Sequence, residues 1–191
     1  MTVAATGGAV IIGASAGALD ALSLILPALP ADFARPILVI VHIPPDKPSA
    51  LAQILDAKCR LPAVEVGDKD PVVPGVIHVA PPNYHMLIED EGHFALSGEA
   101  EVLFSRPSID VSFESACDIW GDRLTCIVLT GANQDGARGA RMIASAGGTV
   151  IVQNPTSAYA RAMPEAAIAA CPQAKIMTLP EIARHLQEHA R

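Results

Sequence analysis

The run Ala9-Val10-Ile11-Ile12 ends at Gly13-Ala14-Ser15-Ala16-Gly17, and from Ala18 to Leu29 the pattern turns helical. A four-residue apolar run reads as a buried strand, so this stretch is a strand, a sharp corner and a helix. The two glycines permit that corner with a neighbouring element packed close, and they push Ser15 out at its tip. Strand-like runs recur at Pro36–Val41, Ala63–Val66, Gly75–Ala80, Thr125–Thr130, Thr149–Gln153 and Lys175–Leu179. Between many of them lie helical patterns: Ser49–Lys58, Ile109–Trp120, Ala137–Ala146, Glu165–Ala170 and Glu181–Ala190. This alternation predicts a three-layer α/β fold, a mostly parallel doubly wound sheet with helices on both faces. One local exception, His85–Asp90 and His93–Leu96 joined through Glu91-Gly92, predicts a small β-hairpin.

Composition agrees with buried parallel strands. Apolar residues make up 51% of the 191 and aromatics only 4%, so Ala, Val, Ile and Leu must build the core. The length and the lack of any linker-like stretch predict one domain over residues 1–191. Pro44, Pro45 and Pro48 read as a stiff loop, not a boundary. A net charge of −7 and the absence of a Lys/Arg cluster exclude nucleic acid as an expected partner. No run approaches the roughly 20 apolar residues of a membrane span, and no signal-peptide pattern opens the chain. A cytoplasmic protein is expected, with Cys59, Cys117, Cys126 and Cys171 as reduced thiols.

In an open parallel sheet, ligands bind beyond the carboxyl ends of the strands. Ser15 follows the first strand, His42 the second, and Asp135 the strand at Thr125–Thr130, just before a helix. A hydroxyl that attacks, an imidazole that takes its proton and a carboxylate that orients the imidazole make an acyl-transfer triad. The Ala16 N–H, next to the nucleophile at a helix N-terminus, is a candidate oxyanion donor. Simpler readings stand beside these: a hydrogen-bonded structural histidine for His42 and a helix N-cap for Asp135. Asp46 and Asp110 are rival acids. His185 and His189 have metal-ligating i,i+4 spacing, but a solvated face of the last helix is expected there, with no metal and no cofactor. A dinucleotide site is disfavoured, since Ser15 replaces the middle glycine and the second strand ends in His42 rather than an acid. The order Ser, His, Asp also differs from that of ordinary α/β-hydrolases.

A set of short motifs carries a resemblance. They are Ile12-Gly13-Ala14-Ser15-Ala16-Gly17, Val41-His42-Ile43-Pro44-Pro45, Pro74-Gly75 leading to Val79-Ala80-Pro81-Pro82, and His85-Met86. Arg106-Pro107-Ser108-Ile109-Asp110, Leu129-Thr130-Gly131 with Asp135-Gly136, and Met163-Pro164 follow. In this order and spacing, from Val10 to about Leu186, the chain resembles the catalytic domain of the chemotaxis receptor protein-glutamate methylesterases of CheB type. The resemblance implies hydrolysis of glutamyl methyl esters on receptors to glutamate and methanol, with glutamine deamidation as a side activity. It implies Ser15, His42 and Asp135 as the triad, and Ala132 N–H as the second oxyanion donor. It puts Met163 beside the substrate, and Arg106 is the nearby cation placed to orient an acidic helix surface or to form a structural salt bridge. The implied partners are the cytoplasmic helices of methyl-accepting chemotaxis receptors, and regulation by a separate receiver protein is left open.

The chain departs from that family where its acid loop reads Gly131-Ala132-Asn133-Gln134-Asp135-Gly136 instead of Gly-Met-Gly-x-Asp-Gly. It departs again at Ala162-Met163-Pro164-Glu165, where the usual arginine is an acid. These changes leave open a second class of reading, a weak or inactive esterase serving as a binding module in a receptor signalling assembly.

Overall fold

The computed structural model describes residues 7–43, 49–90 and 92–190. In chain order the strands are β1 (Ala9–Ala14), β2 (Ile37–Val41), β3 (Ala63–Glu65), β4 (Ile77–Val79), β5 (His85–Asp90), β6 (His93–Ser97), β7 (Leu124–Val128), β8 (Thr149–Gln153) and β9 (Lys175–Met177). The helices are α1 (Ala18–Ile25), α2 (Leu51–Lys58), α3 (Ile109–Trp120), α4 (Ala137–Ser145), α5 (Ala162–Ala170) and α6 (Leu179–Glu188). Seven strands form one sheet in the order β3-β4-β2-β1-β7-β8-β9, and every pairing in it is parallel. Strands β5 and β6 form the separate antiparallel hairpin.

Period-two alternation divides the apolar residues between two cores. Ile11, Leu38, Ile40, Cys126 and Val128 belong to one, with Phe113 and Trp120 of α3 and Phe94 of the hairpin. Val10, Ile12, Val39 and Ile127 belong to the other, with Leu22 and Ile25 of α1, Leu55 of α2 and Leu186 of α6. The central strands are therefore buried on both faces, which is why their sequences are unbroken apolar runs. The outer strands β3 and β9 have three residues each and leave Val64 and Ile176 exposed. Short edges limit the template available for unwanted pairing.

Three helix boundaries differ from the sequence reading for a clear chemical reason. Helix α1 stops at Ile25 and passes into a 3₁₀ turn over Leu26–Ala28, because Pro27 has no N–H to continue the α-helical ladder. Helix α5 starts at Ala162 rather than Glu165, and Pro164 is harmless in a first turn whose N–H groups have no intrahelical partner. Helix α6 starts at Leu179, two residues early, because Thr178 and Glu181 form a capping box in which the Thr178 N–H donates to Glu181 Oε2 at 2.7 Å.

Candidate active site

Strand β1 lies between β2 and β7, and the chain leaves it in one direction and returns on the other side. The crevice beyond the carboxyl ends of such strands is the ligand position of an open α/β sheet. Ser15 follows β1 there. Its N–H donates to Thr130 O at 2.9 Å, and its carbonyl accepts from Ala18 N at 2.9 Å. The corner depends on two glycines. Gly17 has φ +82°, and a Cβ on it would stand 2.6 Å from Tyr159 Cβ. A Cβ on Gly13 would collide with Ile109 Cγ2, so this glycine lets the start of α3 press against β1.

His42 stands beside this turn. The register pairs Ala14 with Val41, and His42 N donates to Ala14 O at 3.3 Å. Across the crevice, His42 Nε2 and Asp135 Oδ2 are 2.8 Å apart, with the aspartate side chain fully buried. Asp135 does not cap its own helix, whose N-cap is Gly136 with no side-chain cap bond. Its carboxylate closes the N-terminus of α3 instead. Oδ2 accepts from Ile109 N at 2.7 Å, and Oδ1 from Asp110 N at 2.8 Å, Gly136 N at 3.0 Å and Ser108 Oγ at 3.1 Å. Burial pushes the Asp135 carboxyl up, but the His42 bond and the two α3 N–H donors outweigh it and hold the group below its ordinary range. An ionised carboxylate only accepts, so Nε2 carries the imidazole proton and Nδ1 keeps a free lone pair.

The opposite wall is built on Thr130. Its N–H donates to the side chain of buried Gln153 at 2.9 Å, and its hydroxyl donates to Ala16 O at 2.8 Å and accepts from Ala160 N at 2.8 Å. Gly131 N donates to Ala160 O, and Met163 N to Gly131 O, both at 3.0 Å. The turn of Ser15 and the loop of Ala132 are thus tied to one frame. Among the described residues, neither Ala16 N–H nor Ala132 N–H has a hydrogen-bond acceptor. Asn133 Oδ1 accepts from Asp135 N at 3.1 Å, which orders the acid loop from within.

A family model described as CheB methylesterase matches residues 10–186. The chain belongs to this family. It is 42% identical over 175 residues to a Leptospira interrogans protein provisionally named protein-glutamate methylesterase/protein-glutamine glutaminase, covering 92% of this chain and 91% of that one. It is 38% identical over 187 residues to protein-glutamate methylesterase/protein-glutamine glutaminase 2 of Caulobacter vibrioides, where it covers 96% of itself but 54% of the relative. The CheB methylesterase catalytic domain of Thermotoga maritima superposes with a TM-score of 0.91 at 30% identity, covering 96% of this chain and 98% of that one.

Two side chains expected at this CheB-family site are engaged within the fold. The Arg106 guanidinium is committed within the fold, donating to Asn83 Oδ1 at 2.6 Å and to the carbonyls of Gly98 and Glu99 at 2.9 and 2.8 Å. These bonds pin the loops around it, and among the described residues it forms no salt bridge. Met163 is fully buried, its side chain packed against Gly131, so it supports the 131–136 loop from within the fold. Of the rival acids, Asp110 turns away and accepts from Gly139 N at 2.8 Å, and Asp46 lies outside the described residues, as do Pro44, Pro45, Pro48 and Glu91. All four cysteines are unpaired, and Cys117, Cys126 and Cys171 are buried. On α6, His185, Glu188 and His189 bring one ligand atom each within 4.8 Å of the others. Arg35 and Lys175 stand near His185 and oppose a cation there. Among the described residues no helix is long and apolar enough to cross a membrane.

Sequence reasoning missed Ser108, His85, Thr130 and Gln153. Buried His85 takes the Ser108 N–H on Nδ1 at 3.1 Å and reaches Ala100 O through Nε2 at 3.1 Å, which holds the cap beneath Asp135. A serine one residue before the helical run at Ile109 was the available signal. Nothing local marks Thr130 or Gln153, whose partners lie far along the chain.

Proposed function

We propose that this chain is a serine hydrolase that removes methyl esters from glutamyl side chains of chemotaxis receptors, yielding glutamate and methanol. The observation that carries the reading is the His42–Asp135 bond, 2.8 Å long and anchored on a helix N-terminus, beside a serine at the tip of a strand-to-helix turn. His42 Nδ1 takes the Ser15 proton as Oγ attacks the ester carbonyl carbon. Ala16 N–H and Ala132 N–H receive the oxyanion. The imidazolium, steadied by Asp135, gives its proton to the departing methoxide, and methanol leaves. Water then repeats the sequence on the acyl-enzyme, releasing the glutamate and restoring Ser15. A glutamine amide follows the same path with ammonia as the leaving group, which makes deamidation the second activity.

The names of the relatives support this substrate class. The partners on this reading are the cytoplasmic helices of methyl-accepting receptors, with a separate receiver protein as regulator. The Asn133 bond to Asp135 N favours an ordered, working acid loop over an idle binding module. The test is methanol release from methylated receptor. Wild type should turn over and Ser15→Ala should not, with both proteins equally folded. Turnover by Ser15→Ala would overturn the mechanism.

A further inference from the structure

A two-residue turn beside the acid loop has the wrong residues for its backbone. Val102 N donates to Ser105 O at 3.2 Å and Ser105 N to Val102 O at 3.0 Å, which closes the turn around Leu103 and Phe104. Both central residues have positive φ, 51° and 61°. Asn and Gly ordinarily fill such turns, because a bulky side chain there crowds its own backbone. The strain gains the fold little, since Phe104 is 97% exposed. The turn is nonetheless held: Arg106, next along the chain, is bonded to Gly98, Glu99 and Asn83. A rigid, strained support for an uncovered phenyl ring points to a use outside the folded chain.

The surroundings say what that use is. Leu103 and Phe104 form one bank of a groove of about 520 Å³, and Asn133, Gln134, Glu165 and Ala166 lie across it. Asn133 and Gln134 immediately precede Asp135, so the groove borders the acid loop of the candidate active site. Past Leu103, Gln134 and Ala166 it runs on into a depression of about 590 Å³ lined by Ala137, Ala169 and Ala170. Small side chains along α4 and α5 leave room for the ridge of another helix. A side-chain methyl ester is too small to identify the protein that carries it, so selectivity must come from contacts remote from the reacting bond. The exposed Glu165 carboxylate on the rim lies 4.0 Å from Arg161, so the apolar Phe104 ring, and not a net charge, is what this rim offers a partner.

We propose that Phe104 is a specificity-determining residue that docks the apolar face of the receptor helix presenting the ester, with the groove between the 102–105 turn and α5 as its seat. This rests on the methylesterase reading. An exposed aromatic anchor at an interface is worth a large share of its binding.

The experiment compares methanol release from two substrates, methylated receptor and a dipeptide glutamyl methyl ester too short to span from the triad to the turn. For Phe104→Ala, KM for the receptor should rise roughly tenfold or more with kcat within about twofold, while the dipeptide is hydrolysed as by wild type. Phe104→Tyr should restore the receptor KM. Because the ring is exposed, an unchanged melting temperature accompanies the expected result. An unaltered receptor KM in Phe104→Ala would sink the proposal, as would an equal loss on both substrates, which would make the turn a prop for the triad. In either case wild-type turnover leaves the methylesterase reading intact. Wild type inactive on both substrates would remove that reading and the docking role together.

Discussion

On the proposed mechanism Asp135 does two jobs at once, and its substitutions should report both. Asp135→Asn keeps the shape but loses the charge that holds the proton on His42 Nε2, so turnover should fall on the order of 10⁴. It should also destabilise the fold, because the carboxylate receives the Ile109 and Asp110 N–H groups at the start of α3. The sign of the pH effect follows from the lowered pKa. A carboxyl that ionises more readily folded than unfolded stabilises the fold above its unfolded pKa, about 3.9, and that contribution is lost as pH falls through the folded value. Urea midpoints measured from pH 6 down to 2 should therefore drop more steeply for wild type than for Asp135→Asn; parallel curves would contradict the network. Ser15→Ala, by contrast, should remove 10⁴–10⁶ of turnover, on the order seen for such triads, and leave the urea midpoint alone. Adding His42→Ala to it should cost little more, because the pair acts as a unit, and additive losses in a kinetic assay would count against that. The proposed Ser15, His42 and Asp135 could be picked out because each directly follows a strand or precedes a helix. The residues that support them could not, since Ser108, His85 and Gln153 bond to groups 23 or more residues away.

At the scale of elements, nearly every strand and helix falls within a few residues of its reading. Unbroken apolar runs such as Ile37–Val41 and helical stripes such as Ile109–Trp120 leave little alternative. The errors gather at helix ends, where capping decides. Thr178→Ala tests this: it breaks the capping box of α6 and should cost about 1 kcal/mol in chemical denaturation. The turn at Leu103-Phe104 gave no sequence signal at all, because its residues contradict its geometry. Phe104→Asn should relieve the left-handed strain and raise stability by about 1 kcal/mol, read as an increased melting temperature. A melting temperature that falls instead would show that the ring is packed in solution. The contact between β1 and α3 should be less forgiving. Gly13→Ala forces a methyl into Ile109, so a loss of roughly 1–3 kcal/mol is expected, together with lost turnover, since Ile109 N is one of the groups on Asp135.

Across the whole molecule, the net charge of −7 bears on which receptor state it meets. Each ester hydrolysed adds a negative charge to the substrate, so the enzyme should repel its product more than its substrate. That difference is electrostatic and exposed, hence screened as the Debye length shrinks from about 10 Å at 0.1 M salt to about 3 Å at 1 M. Product inhibition by demethylated receptor should accordingly strengthen with added salt, relative to KM for the methylated form; a salt-independent ratio would argue against it. The double duty of Asp135 has a consequence on a longer timescale. A mutation at Ser15 silences the chemistry and leaves the architecture whole, whereas one at Asp135 unseats a helix as well. Selection for a folded chain therefore guards the aspartate even where selection for hydrolysis has lapsed. A lineage drifting from catalyst to scaffold would shed its serine first and carry the acid of the old triad as its last trace.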